Sequence, residues 1–278
     1  MKSIFRVLAV LTILIGIVTA QAAQKTQKTI MLATTTSVDA TGLLNVVADE
    51  FLADSGIKVN WVAVGTGQAI KQAQDGNADV VIVHAKKLED KFIADGFGVN
   101  RRVIARNYFI LVGPESDPAG VAKAKDIKEA MQKIKDSGSV FASRGDKSGT
   151  HIRELELWDL VGGKPQKNYM ETGQGMAQTL RVATEKQGYT LTDTGTFYGV
   201  AEIKGLKPVF ENAPELENIY AMIAVNPFKI STVKYVDAMR FVAWLTSPQG
   251  QKVIGDFKKN NRQLFEPMAD KTGVDLSK

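Results

Sequence analysis

The sequence predicts an α/β protein with two lobes, joined by two extended crossovers and enclosing a cleft. From Thr29, short apolar segments alternate with amphipathic helical segments, the pattern of a sheet covered on both faces. The alternation begins a second time at Tyr108, and a late apolar segment over 219–225 precedes a helix that can return to the first lobe. The 278 residues are enough for two modest lobes.

The first lobe is predicted from strand, turn and helix units of nearly the same plan. Apolar strands span 30–33, 58–64 and 78–83. Apolar residues at helical spacing mark helices over 44–51 and 68–74, which follow the first two strands. Repeated units of this kind place their strands side by side in a parallel sheet.

A further run of alternating elements predicts the second lobe and the return to the first. The strands span 108–114, 140–143, 168–172, 189–192 and 219–225, and the helices span 126–135, 152–160, 176–185, 197–203 and 233–246. We assign residues 23–110 and 221–278 to the first lobe and residues 111–220 to the second. Two sheets are expected, with the crossovers near Ile110 and Ala221.

Residues 1–22 have the composition of a secretory signal peptide. A basic start with Lys2 and Arg6 leads into an apolar run over 7–18, and the segment ends in the small-x-small sequence Ala20-Gln21-Ala22. The apolar run is shorter than the ~20 residues that a membrane-spanning helix needs. We expect the mature chain to be a soluble, periplasmic monomer.

The composition excludes several classes of function. The chain has no cysteine, which excludes disulfides, thiol catalysis, cysteine-ligated metals and a lipid-modified cysteine anchor. Lysine and arginine number 35 against 30 aspartates and glutamates, and no basic run is interleaved with aromatic residues. Nucleic acid is therefore not an expected partner.

The turn after the first strand carries four hydroxyl residues, Thr34, Thr35, Thr36 and Ser37. It precedes a helix, whose first amides lack intrahelical acceptors and carry partial positive charge. In α/β sheets, ligands bind beyond the carboxyl ends of the strands. An ordinary helix cap by Ser37 or Asp39 is the alternative, although a cap needs only one such residue.

The turn after the second strand, Val64-Gly65-Thr66-Gly67-Gln68, repeats this arrangement. Its glycines allow the backbone to come close to a ligand. A tight connection between strand and helix explains Gly65 and Gly67 equally well, so both interpretations stay open.

Residues 143–151 carry the strongest signal for anion binding, because a fixed cation joins the hydroxyls. Arg144 can donate two parallel hydrogen bonds to an oxyanion and keeps its charge at ordinary pH. The helix start that follows adds Ser148, Gly149 and Thr150. The alternative is that Arg144 pairs with Asp146 or Glu154 on a solvated surface.

A fourth turn of this kind spans 190–196 and contains Asp193 and Thr194. Asp193 can cap the following helix, orient Arg144, or accept a proton from a protonated ligand, and the first two roles fit the pattern better. Together the four turns offer many donors, one fixed cation and few obligatory acceptors. Such a set suits a fully ionised tetrahedral dianion, bound without a cofactor or a metal ion.

Three segments resemble the tungstate-binding component of bacterial tungstate ABC importers: Thr34-Thr35-Thr36-Ser37, residues 143–151, and Gly96-Phe97-Gly98-Val99-Asn100-Arg101-Arg102. The likeness covers essentially the whole mature chain in order and spacing. It implies a type II periplasmic binding fold that closes around tungstate, sometimes molybdate, and delivers it to a membrane permease driven by an ATPase. The anion contacts that the resemblance implies are Thr35, Thr36, Ser37, Thr66, Arg144 and Thr150, with Ser148 and Gly149; Gly67, Asp193 and Thr194 complete the candidate set.

Other oxyanions are the nearest alternatives to tungstate. Molybdate has nearly the same size and charge, and sulfate is smaller and should fit loosely. Phosphate keeps a proton at neutral pH, so its receptor would profit from a carboxylate acceptor such as Asp39, Asp146 or Asp193.

A serine hydrolase is the alternative from another class, with Ser143 or Ser148 as nucleophile and His84 or His151 as base. No Gly-x-Ser-x-Gly elbow or His-Glu-x-x-His motif surrounds these residues. His84 follows an apolar strand, where a structural histidine is the commoner explanation. The sequence therefore favours a binding protein over an enzyme.

Overall fold

The computed structural model describes residues 27–199 and 203–269. The predicted signal peptide, residues 1–22, lies outside these ranges, as does part of the predicted helix over 197–203. Within the described ranges, no helix has the length and apolar character needed to cross a bilayer.

Strands and helices alternate along most of the described chain. The strands are β1 (Lys28–Thr35), β2 (Ile57–Val64), β3 (Val80–Val83), β4 (Gly98–Pro114), β5 (Phe141–Ser143), β6 (Tyr169–Glu171), β7 (Thr190–Asp193), β8 (Leu206–Phe210), β9 (Glu217–Val225), β10 (Lys258–Lys259), β11 (Arg262–Gln263) and β12 (Glu266–Pro267). The helices are α1 (Thr36–Thr41), α2 (Leu43–Ser55), α3 (Thr66–Gln74), α4 (Lys86–Ala94), α5 (Ile127–Ser137), α6 (Gly149–Asp159), α7 (Met176–Glu185), α8 (Thr194–Gly199), α9 (Tyr235–Leu245) and α10 (Pro248–Asp256). The prediction has no counterpart for α1, α4, α10, β8, β10, β11 and β12.

One mixed sheet connects the two parts of the chain, whereas the sequence predicted a parallel sheet in the first lobe and a second sheet in the other lobe. Its strand order is β12-β4-β9-β3-β1-β2, with β1 parallel to β2 and β3, and with β9 antiparallel to β3 and β4. Beyond Tyr108, β4 leaves β9 and pairs with β7 and β8. The crossover near Ile110 was predicted, but the first half of β4 was missed because Asn100, Arg101 and Arg102 interrupt its apolar pattern.

Apolar cores lie on either side of this change of partner. One core draws on residues between 30 and 105 and between 220 and 265, and another draws on residues between 109 and 216. We call these two parts lobe I and lobe II, and we call the connecting segments, 105–109 and 216–220, the hinge. The lobe boundaries near 110 and 220 that the sequence suggested stay predictions.

The turn after β1 differs from the prediction. β1 continues through Thr35, and the hydroxyl of Thr34 donates to the carbonyl of Ile82 at 2.9 Å. Thr34 therefore bonds to β3 and does not belong to the turn. The helix predicted over 44–51 lies within α2, and a separate short helix, α1, precedes it and ends at Gly42, whose φ is positive at 86°.

Asp79 joins the start of β3 to two neighbouring segments. Its carboxylate accepts the backbone N–H groups of Met31 and Lys234, each at 2.7 Å, and the side chain is buried. One carboxylate thus satisfies a donor in β1 and a donor just before α9.

We expect Asp79→Ala to lower the free energy of unfolding by about 3 kcal/mol, because two backbone donors lose their acceptor at about 1–3 kcal/mol each. Asp90→Ala is the matched control, since its side chain is 53% exposed and pairs with Lys86 at the surface. Its change should stay below about 0.5 kcal/mol. Urea denaturation measures both, and equal destabilisation of the two variants would contradict this role for Asp79.

Candidate anion-binding site

Turns from both lobes meet in the cleft and bring predicted residues next to one another. Arg144 of lobe II reaches Thr36 of lobe I, with Nη2 3.4 Å from the hydroxyl oxygen. Gly65 of lobe I faces Asp146 of lobe II, whose carbonyl oxygen lies 3.5 Å from an ideal Cβ built on the glycine. The lobes are therefore in contact at the predicted site.

Four buried side-chain nitrogens and hydroxyls at these turns have no hydrogen-bond partner among the described residues. They are Oγ1 of Thr66, Nε of Arg144, Oγ1 of Thr150 and Nε2 of His151. Buried polar groups in proteins are normally paired, and leaving one unpaired costs about 1–3 kcal/mol. A ligand with several acceptor oxygens would satisfy donors of this kind.

Asp146 holds the guanidinium of Arg144 without using all of its donors. One carboxylate oxygen accepts from Nη2 of Arg144, and the other accepts from the backbone N–H of Ser148 at 3.1 Å. Arg144 is 3% exposed, so this is a buried pair and not the solvated surface pair of the alternative interpretation. Asp193 makes no described hydrogen bond to Arg144. Nε stays available, and the adjacent carboxylate limits the net positive charge.

The hydroxyls of the turn after β1 pair with each other and with a histidine. Oγ1 of Thr35 lies 3.1 Å from Oγ of Ser37, which lies 3.3 Å from Nε2 of His84. No side chain caps α1. Asp39, the other capping candidate, accepts instead from Nε1 of Trp61 at 2.8 Å. The capping alternative for this turn is therefore wrong.

The start of α6 has both a cap and a close contact with lobe I. Oγ of Ser148 accepts from the backbone N–H of His151 at 3.3 Å. An ideal Cβ on Gly149 would lie 2.5 Å from Cε1 of His84. Any side chain at this position would therefore collide with the imidazole ring, and only glycine permits the approach.

Three further candidates occupy other positions. Asp193 accepts from the backbone N–H and the hydroxyl of Thr196, at 2.8 and 2.6 Å, which are the contacts of a helix cap. Thr194 accepts from the backbone N–H of Tyr108 at 3.4 Å and lines a cavity of about 350 Å³ at the hinge. Gly67 lies in the first turn of α3, with open space where a Cβ would be.

The start of α7 also faces the cleft, which the sequence analysis did not recognise. Its N-cap is Gly175, and no side chain caps the helix. A cavity of about 270 Å³ is lined by Thr36 and Ser37 from lobe I and by Gly175 and Arg181 from lobe II. The signal available in the sequence was the Gly-x-Gly before this helix, which repeats the pattern before α3.

The pairs that a serine hydrolase needs do not form within the described part of the chain. Nδ1 of His151 accepts from the backbone N–H of Lys147 at 3.0 Å, and His84 bonds to neither candidate nucleophile. No described hydrogen bond joins the Ser143 or Ser148 hydroxyl to an imidazole nitrogen. The described residues also contain no group of three or more His, Cys, Asp or Glu side chains that could hold a metal ion.

Glu154, the other acid considered as a partner of Arg144, bonds elsewhere. Its Oε1 accepts from the hydroxyl of Tyr169 at 2.6 Å and from Nε1 of Trp158 at 3.2 Å. Burial raises the pKa of Glu154 to about 7, although these hydrogen bonds act in the opposite direction. Much of this carboxyl is therefore protonated at neutral pH. The Tyr169 hydroxyl also bonds to Oγ of Ser143 at 3.0 Å, which links Glu154 to the anion-binding turn.

The chain resembles one family model, two named relatives and one solved structure. A family model for the PBP superfamily domain matches residues 19–249. Tungstate-binding protein TupA of Peptoclostridium acidaminophilum is 42% identical over 255 residues, which are 89% of this chain and 89% of the relative. The protein of the same name from Campylobacter jejuni is 42% identical over 235 residues, 82% of this chain and 87% of the relative. The solved structure of the tungstate ABC transporter from Geobacter sulfurreducens shares 48% identity, with a TM-score of 0.76, and covers 82% of this chain and 98% of its own.

Two lobes around a donor-lined cleft are the features of a solute-binding protein. The chain belongs to the PBP superfamily and, within it, to the family of the relatives named tungstate-binding protein TupA. The predicted family and fold are thereby confirmed. The relatives are named as binding proteins, in agreement with the expectation that the chain is not an enzyme.

We expect Gly149→Ala to hold the lobes apart, because the added methyl group would lie 2.5 Å from the His84 ring. Overpacking of this kind costs about 1–3 kcal/mol. Small-angle X-ray scattering should give a larger radius of gyration than for the wild type. Gly255→Ala is the control, since its methyl group would lie at an ordinary contact distance, 3.4 Å, from Pro267. An unchanged radius for Gly149→Ala would show that His84 can move aside without opening the cleft.

We expect Glu154→Gln to become more stable relative to the wild type as the pH rises from 4.5 to about 7. In this window the folded wild type keeps a proton that its unfolded chain has released, so the contribution of Glu154 to stability falls as the pH rises. The free energy of unfolding of Glu154→Gln, taken relative to that of the wild type, should rise by about 3 kcal/mol over this range, at about 1.4 kcal/mol per pKa unit. Urea denaturation across this pH range measures it. A constant difference between Glu154→Gln and wild type would contradict the shifted pKa, and Glu50→Gln, at an exposed position of α2, is the control.

Proposed function

We propose that this chain is the solute-binding protein of an ABC importer and that it captures tungstate in the cleft between its lobes. The observation that carries the proposal is the set of unpaired buried donors at Thr66, Arg144 and Thr150, which come from turns in both lobes. A tetrahedral oxyanion presents acceptor oxygens in several directions at once, which suits such a set. The names of the two curated relatives point to tungstate as the anion.

The proposed contacts come from both lobes. Lobe I contributes Thr35, Thr36, Ser37 and Thr66 with the backbone at Gly67, and lobe II contributes Arg144, Ser148, Gly149 and Thr150. Asp193 and Thr194 are assigned structural roles near the hinge. Hydrogen bonds to a charged group contribute about 1.5–3 kcal/mol each, so six of them together contribute about 10–18 kcal/mol. Nanomolar binding corresponds to about 12 kcal/mol, so tight capture needs no metal or covalent bond.

Capture follows from the division of the donors between the lobes. The open protein admits the anion, and only the closed protein makes all of the contacts, so the anion favours closure. Because Asp146 offsets the charge of Arg144, the starts of α3, α6 and α7 supply much of the remaining attraction for a dianion.

The charge pattern supports a fully ionised anion over one that carries a proton. Each of the three carboxylates considered as acceptors, Asp39, Asp146 and Asp193, already accepts hydrogen bonds from protein groups. A protonated phosphate would find no free carboxylate there. We further propose that the protein is a periplasmic monomer and delivers its anion to a membrane permease, as expected of a binding protein in this family.

Isothermal titration calorimetry of the purified, ligand-stripped protein tests the proposal against tungstate, molybdate, sulfate and phosphate. We expect tight binding of tungstate, with molybdate as the nearest competitor and much weaker binding of sulfate and phosphate. If phosphate displaced tungstate at comparable concentrations, the ligand assignment would be wrong. No heat with any of the four anions would reject the binding function.

We expect Arg144→Glu to abolish tungstate binding, because it places a buried negative charge beside the dianion. Arg144→Lys should weaken binding about tenfold or more, since lysine lacks the planar fork of donors. Arg240→Glu is the control, because Arg240 is 57% exposed on α9 and pairs with Asp237. Wild-type affinity in either Arg144 variant would show that another group supplies the positive charge.

A further inference from the structure

A line of buried polar side chains runs from lobe II through the hinge to the turn after β1. Nδ2 of Asn107 donates to Oδ1 of Asp193 at 3.2 Å, and Nδ2 of Asn218 donates to Oδ1 of Asn107 at 2.7 Å. Oδ1 of Asn218 lies 2.9 Å from Nδ1 of His84. Together with the hydroxyl contacts of His84 described above, these side chains form what we call the hinge relay: Asp193, Asn107, Asn218, His84, Ser37 and Thr35.

The directions of the hydrogen bonds in the hinge relay follow from Asp193. Its Oδ1 accepts from the backbone N–H of Thr196 at 2.8 Å, so Asn107 must turn its NH₂ group toward the same oxygen. The oxygen of Asn107 then faces the NH₂ group of Asn218. The oxygen of Asn218 is left for His84, and Nδ1 of the ring therefore carries a proton.

His84 is held as a neutral imidazole. Burial lowers its pKa to about 4, and the nearby guanidiniums of Arg144 and Arg153 act in the same direction. The ring of Tyr220 packs on the imidazole, with the centroids 4.8 Å apart. A neutral ring with its proton on Nδ1 has a bare Nε2, which can only accept. The hydroxyl of Ser37, 3.3 Å away, is the group that donates to it.

We propose that His84 is a positioning residue of the anion site, which commits the hydroxyl proton of Ser37, and through it that of Thr35, to contacts inside the protein. Because Ser37 donates to His84, the hydroxyl of Thr35 is the donor in the 3.1 Å contact between the two. Ser37 lies in the first turn of α1, so its backbone N–H stays available to the anion. The identity of the anion in this inference rests on the proposed function, whereas the hinge relay does not.

Three threonine hydroxyls keep their protons for the ligand. Oγ1 of Thr36 accepts from Nη2 of Arg144 at 3.4 Å, which leaves its own proton free. Oγ1 of Thr66 and Oγ1 of Thr150 have no described partner. The hinge relay therefore divides the predicted hydroxyls into committed and available donors, a division that no local sequence pattern contains.

The protonation of the His84 ring is measured directly by ¹⁵N NMR of the labelled protein, in which only two histidines need assignment. His151→Gln identifies the signals of His84. We expect a neutral ring protonated on Nδ1 from about pH 6 to about pH 8, both without ligand and with saturating tungstate. A ring protonated on Nε2, or an imidazolium, in either state would overturn the proposal. The spectrum without ligand decides this even if calorimetry rejects tungstate binding.

Calorimetry with tungstate separates the committed hydroxyls from the available ones. Thr66→Val should weaken binding about tenfold or more, because a hydrogen bond to a charged ligand is lost. Ser37→Ala should weaken it only about threefold, through disturbance of the relay. Thr184→Val is the control, since its hydroxyl bonds to the carbonyl of Leu180 within α7.

Equal losses in Ser37→Ala and Thr66→Val would overturn the committed role of Ser37 while leaving tungstate binding itself established. Thermal melting of each variant checks that the fold is intact. If Ser37→Ala fails to fold, the ring spectrum of the wild type still decides the proposal.

Discussion

The antiparallel pairing of β4 with β9 holds the candidate site together, because β4 is the strand that belongs to both lobes. In lobe I it lies between β9 and β12, and past Tyr108 it pairs with β7 and β8 of lobe II. The turns that carry Thr36 and Arg144 are supported by different lobes, and they meet because β4 and the second hinge segment, 216–220, join the lobes. Any hinge movement must therefore act through the two short hinge segments, 105–109 and 216–220.

The proposed anion site carries a cost in folding free energy that a bound ligand can remove. Thr66, Arg144 and Thr150 bury donors without described partners, at about 1–3 kcal/mol each. A fold selected for stability alone would pair these groups or replace them with apolar side chains. Their presence at the contact between two lobes fits a protein whose closed state is completed by an anion.

The net positive charge at this site is small. Asp146 sits beside Arg144, burial favours the neutral form of Glu154, and burial also lowers the pKa of His84 so that its ring adds no positive charge. In the proposed function, the attraction for a dianion therefore depends on hydroxyl and backbone donors held in fixed directions. Selectivity in such a site comes from geometry and from the absence of a free acceptor more than from net charge.

The local pattern of the sequence determined much of this protein. Helix α7 was predicted over its observed residues, and the strands before the four turns were found within a few positions, because hydrophobic periodicity depends on residues close together in the chain. The signal for an oxyanion site was also local, since Arg144 and the hydroxyl runs each follow a strand and open a helix. These features were enough to identify the family.

Only the tertiary structure decided which donors are available. Thr34 bonds to the carbonyl of Ile82, which is 48 positions away, and His84 bonds to Asn218, which is 134 positions away. The length of β4 was likewise set by its pairing with β9 and not by its own apolar pattern. Residue type shows that a hydroxyl can donate, but its partner is chosen by strands brought together from distant parts of the chain, which no local periodicity records.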